Sequence, residues 1–117
     1  VAVNDTVDGG DGNDSLYGND DAESLNGGIG NDTIDGGACS ETLDGSIGND
    51  LLYGGDNADS IIGNVGDDTY IFGRGDGSDR IEDALDNDTL TFVGGLTQDD
   101  LIIKLIGRDL VVGRKEY

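Results

Sequence analysis

The sequence predicts an all-β solenoid, a stack of very short strands joined by glycine-rich turns, and three observations predict it. From Gly9 to Ile71 the chain divides into seven consecutive nine-residue units with nothing left over: GGDGNDSLY, GNDDAESLN, GGIGNDTID, GGACSETLD, GSIGNDLLY, GGDNADSII and GNVGDDTYI. A fixed short period marks an architecture in which each unit stacks only on its neighbours. The eighth place of the unit is apolar every time, through Leu16, Leu25, Ile34, Leu43, Leu52, Ile61 and Tyr70. A segment of the form x-apolar-x points one side chain inward and two outward, which is a minimal β-strand. The sixth place is an acid every time, through Asp14, Glu23, Asp32, Glu41, Asp50, Asp59 and Asp68, and the first is always Gly.

The first six places of each unit therefore read as a turn. Gly dominates the second place and fills the fourth in alternate units, where a backbone without Cβ takes φ > 0 or approaches a ligand closely. The resulting pattern, G-G-x-G-x-D-x-U-x with U large and apolar, resembles the RTX repeat, the nonapeptide of a family of calcium-binding parallel β-helices. The resemblance covers at least Val3 to Leu90, with several consecutive units in register. It implies a parallel β-roll with two units per turn, whereas the period alone leaves three units per turn open.

Composition sets the outer limits. Of 117 residues, 34% are apolar, against about 45–50% in an ordinary globular protein, so a thick core is excluded. There are 26 acids and 6 bases, a net charge of −20. Every Lys and Arg lies at or beyond Arg74, so the repeats ahead of it carry acids with no counter-charge. Such a block repels nucleic acid and anionic membrane, and both partners are excluded on that ground. No apolar run is long enough to span a bilayer, so no membrane insertion is expected of this chain. Cys39 is the single cysteine and there is no His, which rules out an internal disulfide and a zinc site. The chain opens on Val1 rather than Met and is expected to be a piece of a longer one.

Taken in order, Asn4 to Asp8 fit the frame as the tail of an earlier unit, leaving an edge suited to end-to-end stacking with adjacent repeats. Residues 1–71 form the roll. In the two-unit turn, one sheet stacks Leu16, Ile34, Leu52 and Tyr70, and the other stacks Val7, Leu25, Leu43 and Ile61. Residues 72–96 are irregular closing turns, because after Ile71 the beat slips by two residues and resumes with Asp79 and Asp88. Residues 97–117 are a capping β-hairpin within the same domain: a short turn at Thr97 to Asp100, a strand through Leu101 and Ile106, a turn at Gly107 to Asp109, and a strand through Leu110 to Val112.

Calcium takes six to eight oxygens from carboxylates and carbonyls, and a Gly-rich turn ending in Asp offers both. The resemblance implies ions shared between each loop and the loop two units further on. Gly10, Gly12 and Asp14 would meet Gly27, Ile29 and Asp32. Gly28, Gly30 and Asp32 would meet Gly45, Ile47 and Asp50, and Ser46, Gly48 and Asp50 would meet Gly63, Val65 and Asp68. Weaker sites are expected along the opposite edge at Glu23, Glu41 and Asp59. There Asp21, Cys39 and Asn57 replace the fourth-place Gly, and Glu reaches one methylene further than Asp. Asp79 and Asp88 would close the far ends of the two edges.

The function expected is a non-catalytic, calcium-dependent folding module of a secreted, extracellular bacterial protein. By resemblance, it leaves the cell unfolded through a type I channel and folds on meeting calcium. A carbohydrate- or surface-binding module is the alternative, with Tyr17 and Tyr53 on one outward face but Asp35 between them. An enzyme is disfavoured: no nucleophile stands with a base, and the carboxylates are committed to the turns.

Overall fold

The computed structural model describes residues 6–18, 20–21, 23–72, 79–82, 88–92, 101–106 and 109–114, the last two segments as backbone pairing. Seven three-residue strands follow the beat: β1 (Thr6–Asp8), β2 (Ser15–Tyr17), β3 (Ser24–Asn26), β4 (Thr33–Asp35), β5 (Thr42–Asp44), β6 (Leu51–Tyr53) and β7 (Ser60–Ile62). Longer strands come next: β8 (Thr69–Phe72), β9 (Asp79–Glu82), β10 (Thr89–Phe92), β11 (Leu101–Ile106) and β12 (Asp109–Arg114). Each of the first seven is as short as the x-apolar-x pattern allows, because the flanking glycines and acids hand the chain straight back to a turn.

Through β10, odd and even strands separate into two sheets, and β11 and β12 both join the odd one: the orders are β1-β3-β5-β7-β9-β12-β11 and β10-β8-β6-β4-β2. Pairing is parallel with Leu25 opposite Leu43 and Ile34 opposite Leu52. Each strand thus lies on the strand two units away, which settles the number of units per turn at two. The two-residue slip is equally plain, since Ile61 pairs with Ile81 and Tyr70 with Leu90. After it the stacking simply continues at the new offset.

The inward columns meet in a single-file core. Leu25, Ile34, Leu43, Leu52 and Ile61 are sealed from solvent, and Tyr70, Phe72 and Ile81 join them. Leu16 and Leu90 pack against the ends, whereas Val7 is exposed on the terminal strand. Phe72, expected to open the irregular closing segment, instead lengthens β8 and adds its ring to the core. The backbone of the hairpin extends the first sheet: β11 pairs antiparallel with β12, and β12 pairs antiparallel with β9. Asp109, expected in its turn, is the first residue of β12. The expected turns at 73–78, 83–87 and 97–100 lie outside the described residues.

On the outer faces, Tyr17, Asp35, Tyr53 and Ile71 form one register column, as expected. Not all ninth-place residues are merely outward. The carboxylates of Asp8, Asp35 and Asp44 accept from the N–H two residues on, at Gly10, Gly37 and Ser46 (3.0, 3.1 and 2.9 Å). Each opens the next turn as an Asx turn.

The position of a residue in this stack sets its cost of truncation. Leu43→Ala, at the sealed centre, is expected to lower stability by about 2–5 kcal/mol. Leu16→Ala, at the half-open end, should cost clearly less. Denaturant unfolding of both variants in calcium-containing buffer checks the ranking, and equal losses would mean that the core is not the single-file column described.

Candidate metal centre

With two units per turn, the turns that open at Gly9, Gly27, Gly45 and Gly63 stack along one edge of the roll. Their acids form a ladder. The N–H of Asp14 donates to Oδ1 of Asp32 at 2.7 Å, that of Asp32 to Asp50 at 2.8 Å, and that of Asp50 to Asp68 at 2.9 Å. Across the slip, the N–H of Asp68 donates to Oδ1 of Asp88 at 2.8 Å. Asp32, Asp50 and Asp68 are buried. One carboxylate oxygen of each rung thus ties two turns together.

The second oxygen faces a different situation. Oδ2 of Asp14, Asp32 and Asp50 is sealed from solvent and has no hydrogen-bond partner. Burying an ionised oxygen in that way is costly unless a cation or a donor meets it. The turn glycines make room for it: a Cβ at Gly45 would run into Oδ2 of Asp50, and one at Gly27 would lie 2.5 Å from Oδ2 of Asp32. This explains the invariant first-place Gly.

Of the backbone oxygens expected as ligands, those of Gly10, Gly28, Ser46, Ile29, Ile47 and Val65 each accept an N–H from the neighbouring turn. Ile29 N–H donates to the Gly10 carbonyl, Ile47 N–H to Gly28 and Val65 N–H to Ser46 (3.0, 3.0 and 2.9 Å). In return the carbonyls of Ile29, Ile47 and Val65 accept from Gly12, Gly30 and Gly48 (2.8, 2.8 and 2.9 Å). Asp11, Ile29, Ile47 and Val65 thereby form a column of single β-bridges along the edge, with the three aliphatic side chains more than half exposed. Each carbonyl keeps a second lone pair for a ligand. Gly30 and Gly48, at φ 134° and 133°, cannot be replaced: a Cβ there would strike the Gly12 and Gly30 carbonyls. Ser46 takes φ 69° at the second place without leaving the pattern.

The opposite edge carries Glu23, Glu41, Asp59 and Asp79, all buried. Its ladder has the same form, with Glu41 N–H donating to Oδ1 of Asp59 at 2.9 Å and Asp59 N–H to Oδ1 of Asp79 at 3.0 Å. Both carboxylate oxygens of Glu41, and Oδ2 of Asp59, are buried without a hydrogen-bond partner. Glu41 therefore turns inward like an Asp despite its extra methylene. Cys39 adopts φ 83° in the fourth place, its thiol donating to the Asp20 carbonyl at 2.8 Å, and Asn57 adopts φ 72°. Among the described residues, the column of β-bridges found on the first edge has no counterpart here.

Another set of residues had no role in the sequence reading. The fifth-place side chains Asn13, Asn31 and Asn49 form their own exposed ladder, each Oδ1 accepting from the N–H one turn on, at Asn31, Asn49 and Asp67 (2.8, 2.9 and 2.9 Å). It runs in the opposite sense to the acid ladder, so neighbouring turns are laced from both directions. The repeated Asn at one place of alternate units was the signal.

Among the described residues no three acids converge on one point. One acid per turn on each edge, spaced by carbonyls, is a donor set of oxygens alone, which suits a hard cation such as calcium and not a thiolate- or imidazole-seeking metal. The class so defined is a parallel β-solenoid with an all-oxygen cation edge. The profile of the RTX calcium-binding nonapeptide repeat matches the chain in four overlapping copies, at residues 2–34, 17–52, 35–70 and 44–77. The chain belongs to that family, whose repeats bind calcium. No curated protein matches it.

Without a cation, Asp50, Glu41 and Asp59 resist ionisation. Burial pushes Asp50 up to about 6, against the pull of the Asp32 N–H. Burial, reinforced by neighbouring Asp59, pushes Glu41 up to about 8, and Asp59 also moves upward through burial. A carboxylate whose folded value is raised destabilises the fold once ionised, and that penalty vanishes on protonation. Metal-stripped protein should therefore gain β-structure as pH falls from about 8, the Glu41 value, toward the unperturbed carboxylate range near 4. Far-ultraviolet circular dichroism across that window checks it, and greater order at the alkaline end would contradict the placement of the acids.

Proposed function

We propose that this chain is a calcium-triggered folding module of a secreted bacterial protein. The observation that carries the reading is the column of buried, unpartnered carboxylate oxygens at Asp14, Asp32 and Asp50, on a chain of net charge −20. The thin core gives little to set against that repulsion. In cation-poor surroundings the block of acids keeps the chain extended and soluble, which suits passage through a narrow export channel. In calcium-rich surroundings outside the cell, the ions neutralise the columns and the roll closes, so binding and folding are one event. The setting, secretion through a type I route, is an inference from the family's habit together with the acidic composition.

In this reading each ion is shared by two turns. The first takes Gly10, Gly12, Asp14, Gly27, Ile29 and Asp32. The second takes Gly28, Gly30, Asp32, Gly45, Ile47 and Asp50, and the third Ser46, Gly48, Asp50, Gly63, Val65 and Asp68. Asp32 and Asp50 each serve two ions, whereas Asp14 serves one. Glu23, Glu41, Asp59 and Asp79 hold ions less tightly, since among the described residues the bridge column that fixes the carbonyls lies on the first edge. Asp88 closes the first edge above Asp68.

Calorimetric calcium titration of single variants tests the sharing. Asp32→Ala is expected to lower the stoichiometry more than Asp14→Ala, and Glu41→Ala the least. Equal losses at Asp14 and Asp32 would show that each ion belongs to one turn alone.

A further inference from the structure

Tyr70 stands out in the inward column of its sheet. The other members, Leu16, Ile34, Leu52 and Leu90, are aliphatic, and Tyr70 alone brings a hydroxyl into the core at 4% exposure. A buried phenol finds a hydrogen-bond partner. Its hydroxyl reaches the first residue, Gly63, of the turn that ends at Asp68. There the hydroxyl and Oδ2 of Asp68 converge on the same spot, the space that a Cβ at Gly63 would occupy. At Gly27 and Gly45 the atoms nearest the same space all belong to Asp32 or Asp50.

We propose that Tyr70 is a positioning residue of the calcium column: in the calcium-bound roll its hydroxyl donates to Oδ2 of Asp68 and fixes that carboxylate for an ion shared with Asp50. The inference rests on the shared-ion reading above. Oδ1 of Asp68 is already held by the Asp50 N–H at 2.9 Å, so the phenol is placed to set the other oxygen. The two groups are neighbours in the structure, so the phenol stands within reach of that oxygen. The difference from Asp32 and Asp50 falls where the sequence offset between stacked strands changes, from 18 residues between β6 and β8 to 20 between β8 and β10. Groups behind a metal ligand set its orientation, and their removal weakens metal affinity by about 10–100-fold.

Two measurements test this on the whole chain. Terbium in place of calcium, excited through tyrosine, reads which ring lies beside a bound ion. Tyr70→Phe should abolish most of the sensitised emission, whereas Tyr17→Phe and Tyr53→Phe should leave it. Calcium titration then reads the hydroxyl itself. Tyr70→Phe should weaken one ion about tenfold or more with an unchanged circular dichroism spectrum at saturating calcium, and should have no further effect once Asp68→Asn is present. Wild-type protein that binds terbium without tyrosine-sensitised emission would overturn the proposal even if the Tyr70 variant failed to fold. So would a calcium titration unmoved by Tyr70→Phe, or a loss of equal size in the Asp68→Asn background. Failure of the calcium reading itself would look different, as wild-type protein that takes up neither ion.

Discussion

The structure depends on how one carboxylate per turn divides its two oxygens. Along the first edge, Oδ1 accepts an N–H from the turn below and so acts as part of the backbone ladder, while Oδ2 of Asp14, Asp32 and Asp50 is left inside with no donor. The first role asks the carboxylate to be present and ionised. The second leaves a buried oxygen that calls for a cation or a donor. A cation reconciles the two. Short strands, a single-file core and Gly at the first place all follow from keeping the acids in line.

That arrangement explains why a chain with so few apolar residues folds at all. Each turn contributes one inward side chain per sheet, and Leu25, Ile34, Leu43, Leu52 and Ile61 seal against one another only when the turns are stacked. Cation binding and apolar burial are therefore two faces of the same closure. The carboxylates that repel one another in the open chain become the fixed points of the closed one. Chelation should undo both together, since neither interaction holds the roll alone.

Much of this was legible in the residues. The nine-residue beat located all seven short strands, and the inward column and the acid column fell where the eighth and sixth places put them. The two-residue slip was visible as the spacing of Asp79 and Asp88. Two units per turn came from the family resemblance and not from the period, because a repeat length does not say how many repeats close a turn. Other features were hidden for a physical reason: Asn and Asp in a Gly-rich turn look alike whether solvated or bonded. Residue type alone does not separate the Asx turns at Asp8, Asp35 and Asp44 from solvated polar positions, and only the recurrence of Asn13, Asn31 and Asn49 at one place hints at their ladder. Phe72 and the Tyr70 hydroxyl were obscured by a period that records only that a place is apolar, not what the end of a ring reaches.

The central claim is that calcium binding and formation of the roll are a single event. Small-angle scattering and far-ultraviolet circular dichroism, recorded on the same sample through a calcium titration at neutral pH, test it most directly. The account predicts that a stripped chain is expanded and lacks β-structure. It also predicts that compaction and β-signal rise together over the same calcium range, while magnesium substitutes poorly because it demands tight octahedral geometry and keeps its waters. A stripped chain already compact and β-rich, merely acquiring ions without change of shape, would contradict it.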